Sequence, residues 1–112
     1  MCSMITGKNY IGSRLSSAGK VTFKTFNPQT NRENDSLFLE ASGAEINESV
    51  ALAEEAFKVF RNTSGTKRSL FLEEIATELE ALGDELIQTY CEESGLPQGR
   101  AVGERGRTLF QL

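Results

Sequence analysis

TKRSLFLEEIATELEALGDELIQTYCEESGLP, residues Thr66–Pro97, is the stretch whose reading decides the fold. Leu72, Ile75, Leu79, Leu82, Leu86 and Tyr90 recur at steps of three and four, which draws one apolar stripe along an amphipathic helix. Glu73, Glu74, Glu78, Glu80 and Glu85 fall off the stripe and read as a solvated face. Thr66 reads as the N-cap, and Gly83-Asp84 as a kink or a re-start with Asp84 capping the second half. Ser94-Gly95-Leu96-Pro97 closes the helix, because glycine accepts the left-handed conformation and proline opens a following helix. A stripe of this kind must be buried against something.

Upstream, Ile46, Val50, Ala53, Phe57 and Phe60 repeat at the same period within Ala44–Arg61, and Glu45 and Glu48 put negative charge on the positive helix start. Asn62–Gly65 breaks this second helix from the first, and a linker so short predicts antiparallel packing of the two. Further upstream, Val21, Phe23 and Thr25 alternate with Thr22, Lys24 and Phe26 as a half-buried strand that Asn27-Pro28 ends. Ser36–Ala41 is a further strand, and Lys8–Arg14 a short extended segment interrupted by Gly12. Two or three short strands need more structure to lean on.

Downstream, Gln98–Leu112 (QGRAVGERGRTLFQL) is ambiguous. Gly99, Gly103 and Gly106 would each cost a helix about 1 kcal/mol relative to alanine, so propensity alone reads it as loop. The apolar ending Thr108–Leu112 reads as cut rather than finished.

Composition narrows the function classes. The chain has 112 residues, 38% hydrophobic and 25% charged, enough for one domain with a modest core. A net charge of -4 argues against sequence-independent binding to nucleic acid, which requires a basic face. The absence of a long apolar run or a signal-peptide core predicts a cytoplasmic protein with no membrane partner. With no histidine, the chain cannot build a zinc site with imidazole, a Cys-His pair or a Ser-His-Asp triad. Cys2 and Cys91 share no metal or redox spacing.

The remaining candidates are weak. Gly99-x-x-x-Gly103-x-x-Gly106 has neither dinucleotide-fingerprint spacing nor the Lys-Ser/Thr of a phosphate loop. Arg100, Arg105 and Arg107 carry the chemistry to grip a carboxylate or phosphate, but with Glu104 among them they read better as a salt-bridged helix surface. Read from its residues alone, the chain holds no catalytic constellation.

The ordered segments nonetheless resemble the N-terminal portion of the aldehyde dehydrogenase superfamily. Its recurrent N-P-x-T-G-E, A-x-x-A-F, helix-opening arginine and E-x-G-K-P elements are matched by Asn27–Arg32, Ala53–Phe57, Arg68 and Glu93–Pro97. Asn31-Arg32 stands for Gly-Glu, and Leu96 for lysine. ESGLPQGRAVGERGRTLFQL (Glu93–Leu112) is similar to the branch that oxidises 2-oxoglutarate semialdehyde. The resemblance runs from about Gly7 to Leu112. It implies an α+β segment, a short N-terminal β-hairpin followed by amphipathic helices, that opens an α/β Rossmann-like nucleotide-binding domain. Residues 1–112 would then be an incomplete part of that domain, with strands and turns over 1–43 and helices over 44–112.

The resemblance further implies oxidation of an aldehyde through a cysteine thiohemiacetal, with NADP or NAD as cofactor, in a homo-oligomeric parent enzyme. None of the catalytic or nucleotide-binding residues falls within this chain, so neither Cys2 nor Cys91 is the nucleophile. One site does map here. Some members hold a sodium or potassium ion on two carbonyls and an acidic side chain, which would be the carbonyls of Thr25 and Phe26 and the carboxylate of Glu93; such oxygens suit a hard cation. The alternative to an enzyme fragment is a stand-alone, non-catalytic helical interaction or assembly module.

Overall fold

The computed structural model describes residues 5–112, which divide into two compact units. The first comprises the residues up to Thr25 and Asp35–Thr63; the second comprises Phe26–Asn34 and Ser64–Leu112.

In the first unit, β1 (Asn9–Ile11) and β2 (Arg14–Ser16) form an antiparallel hairpin in which Asn9 faces Ser16 and Ile11 faces Arg14. Gly12, with φ +60°, starts the turn. The extended segment read from Lys8 to Arg14 is therefore a hairpin, one more than the sequence led us to expect. A second hairpin pairs β3 (Thr22–Asn27) with β4 (Arg32–Leu39), and so short a connection requires an antiparallel arrangement. Its base is tied down by backbone bonds from Leu39 N–H to the Gly7 carbonyl (3.0 Å) and from Glu40 N–H to the Val21 carbonyl (2.8 Å). The Phe23 and Phe38 rings stack on its face, 5.6 Å apart.

The helix α1 (Gly43–Phe60) starts on a reciprocal cap. Ser42 Oγ accepts from Glu45 N–H (3.2 Å), and Glu45 Oε1 accepts from Ser42 N–H (3.0 Å), so two otherwise orphaned donors are satisfied. Glu45 is buried, whereas the stripe read along this helix is not: Ile46, Val50, Phe57 and Phe60 are all exposed, Val50 by 63%. α1 packs on β1, and Arg14 pairs with Glu48 at 2.6 Å.

The second unit is built on α2 (Gly65–Ala81), α3 (Gly83–Ser94) and α4 (Gln98–Gln111). Ser64 caps α2 by accepting from Lys67 N–H (3.2 Å), displacing Thr66 from the expected role. The reason lies in the linker, where Asn62 Nδ2 and Thr63 Oγ1 turn back to the carbonyls of Lys58 and Phe60. Ser64 is the next hydroxyl, and its extended backbone is that of an N-cap. The long helical stretch re-starts at Gly83, whose φ of +56° belongs to the left-handed region. Asp84 makes no cap bond and lies in the first turn of α3, where its charge still complements the helix dipole.

The segment after Pro97 is helical despite its glycines. Ala101 on α4 is 2% exposed and Ile87 on α3 4%, and the two helices pack together. Burying a side chain such as Ile87 contributes roughly 1.5–3 kcal/mol, which offsets two of the glycines. A Cβ added at Gly99, Gly103 or Gly106 would meet nothing within 4 Å, so nothing within the chain requires their smallness. α2 also packs on α4, while the pair expected to lie antiparallel, α1 and α2, falls in different units.

Candidate functional site

Two of the resemblance-bearing motifs, Asn27–Arg32 and Glu93–Pro97, meet in the second unit, where the tip of the β3–β4 hairpin lies against the exit of α3. Asn27 Oδ1 accepts from the backbone N–H groups of Gln29 (3.0 Å) and Thr30 (3.3 Å), an Asx turn that sets Pro28 at the tip. Asn31 follows with φ +57°. Asparagine is the non-glycine residue best suited to that conformation, so the departure from the family's glycine preserves the turn.

The α3 exit is built as tightly. Gly95 has φ +71°, and its N–H returns to the Cys91 carbonyl at 2.9 Å. Ser94 Oγ donates to the Tyr90 carbonyl (2.5 Å) and accepts from Leu96 N–H (3.1 Å). A Cβ on Gly95 would lie 2.7 Å from Pro28 Cγ and 3.3 Å from Gln29 N, so the Asn-Pro turn sits directly on the bare glycine. Asn34 Nδ2 adds a bond to the Glu92 carbonyl at 3.3 Å.

The residues named as cation ligands divide between the two units. Thr25 is half-buried and belongs to the first unit; Phe26, 47% exposed, and Glu93, exposed in the last turn of α3, belong to the second. The donors are oxygens, as a hard monovalent ion requires. Among the described residues no group of three histidine, cysteine or carboxylate side chains is placed to hold a metal.

Gly103 and Gly106 are interior to α4, where main-chain N–H groups are spent on the helix, so the glycine run forms no loop around a phosphate. Arg100 pairs with Glu104 at 2.8 Å, and Arg105 reaches the Gly83 carbonyl at 3.5 Å, which makes these arginines a helix surface. Glu73, Glu74, Glu78 and Glu80 are exposed, as read from the sequence, and Glu85 is half-buried. Cys91 is a half-buried free thiol that lines an open hollow together with Gln29, Asp84 and Gln98. Cys2 lies outside the described residues. No helix among the described residues is long and apolar enough to cross a membrane.

One titratable group, read from the sequence as a charge at the start of α1, has a further role there. Glu45 is 3% exposed, and its Oε2 has no hydrogen-bond partner of good geometry. Its pKa is nevertheless lowered, first by the Ser16 hydroxyl and then by the Ser42 N–H, against the opposing effect of burial. The signal was present as Ser42-x-x-Glu45, the spacing of a capping box. It is a structural carboxylate that closes the capping box at the start of α1.

Comparison with known proteins agrees with the motifs. The model of the aldehyde dehydrogenase family matches residues 15–111. Alpha-ketoglutaric semialdehyde dehydrogenase 2 of Azospirillum brasilense is 38% identical over 109 residues, 96% of this chain and 21% of that protein. Alpha-ketoglutaric semialdehyde dehydrogenase of Acinetobacter baylyi is 33% identical over 106 residues, 95% of this chain and 20% of that protein. The chain thus spans about a fifth of the length of the curated relatives it matches.

Proposed function

The chain belongs to the aldehyde dehydrogenase family, and from that premise we propose that it is the N-terminal portion of a cytoplasmic, homo-oligomeric enzyme that oxidises 2-oxoglutarate semialdehyde to the dicarboxylic acid. The observation that carries this reading is the match of 33–38% identity to two semialdehyde dehydrogenases along 95–96% of the chain. The reaction would run through a thiohemiacetal on a cysteine supplied by the part of the relatives that has no counterpart here, with NADP or NAD taking the hydride. This segment contributes no step to that chemistry. Its part is to open the Rossmann-like nucleotide-binding domain, with the apolar stripes of α1 and α2 covered by the rest of that domain.

Exposed stripes favour this reading over a stand-alone module, since apolar faces of this size need cover in solution. A sodium or potassium ion on the carbonyls of Thr25 and Phe26 and on Glu93 belongs to the same proposal and rests on the family resemblance. The test is to purify the 112-residue chain and a longer product of the same reading frame, and to assay both with the semialdehyde and either cofactor. The longer product should reduce the cofactor. The 112-residue chain should be inactive, bind a hydrophobic dye and self-associate. A chain that folds cooperatively as a monomer and binds no dye would overturn the claim that its stripes need further sequence.

A further inference from the structure

We draw no further inference here: the strongest candidate, the apolar hollow of about 230 Å³ between α2, α3 and α4 lined by Leu79, Leu86, Ile87, Tyr90, Ala101 and Leu109, carries nothing because nothing in the structure shows what covers it.

Discussion

Replacing Gly95 with alanine tests the contact that joins the hairpin tip to the α3 exit. Two independent costs arise. The backbone at φ +71° is left-handed, which costs a residue with a Cβ about 1–2 kcal/mol. The new Cβ would also lie 2.7 Å from Pro28 Cγ, and overpacking of this kind costs about 1–3 kcal/mol. Ring pucker lets Pro28 yield by a few tenths of an ångström, but Gln29 N, at 3.3 Å, is main chain and cannot step aside. Together, Gly95→Ala should lose about 2–5 kcal/mol, read as a lower midpoint in urea unfolding followed by helical circular dichroism. Gly95→Asn separates the terms, because asparagine tolerates the left-handed backbone but keeps the clash. Pro28→Ala in the Gly95→Ala background should recover part of the clash term, giving a coupling above about 0.5 kcal/mol in a double-mutant cycle. A Gly95→Ala chain within about 0.5 kcal/mol of the parent sequence, or strictly additive Pro28 and Gly95 effects, would refute the reasoning.

Three further outcomes are expected. Glu45 has a lowered pKa in the folded chain, so its contribution is complete above the ordinary glutamate range and is lost as pH falls through the lowered value. Glu45→Gln should flatten the acid limb of the stability profile, and an unchanged limb would contradict this assignment. Gly103→Ala should raise the stability of this chain by up to about 1 kcal/mol, because the added methyl meets nothing and alanine is the better helix former; a lower urea midpoint would mean that another surface approaches α4 there. If Glu93 helps to hold a monovalent cation, replacing choline chloride with potassium or sodium chloride should raise the melting temperature of the longer product, and Glu93→Gln should abolish the rise. Equal melting temperatures in all three salts would remove the site.

The helices were legible because their determinants are local. Period-3.6 stripes announced α1, α2 and α3, and Gly83 announced the re-start. What the sequence obscured was competition among near-equivalent neighbours. Thr66, Thr63 and Ser64 are all capping residues, and only the engagement of Asn62 and Thr63 with the end of α1 shows that Ser64 is the one available. α4 was obscured for a different reason: propensity counts its glycines, whereas its helical state depends on packing of Ala101 against α3. Contacts between distant residues were illegible altogether. Nothing local places Pro28 on Gly95 or Asn34 on Glu92, although the Asn-Pro turn and the Gly-Leu-Pro exit were each readable as motifs. The departure of Asn31 from the family glycine became intelligible once its φ was known. As for the chemistry, no catalytic constellation was legible in the residues, and the family was reached through the ordered motifs, which the family match bears out.

The most direct measurement is the rate of NAD(P) reduction on 2-oxoglutarate semialdehyde by the native polypeptide, isolated from its source cells through a tag ahead of this segment. The account predicts semialdehyde-dependent reduction that is lost after alkylation of a cysteine other than Cys2 and Cys91. An intact, folded native polypeptide that reduces neither NAD nor NADP with this substrate would contradict it.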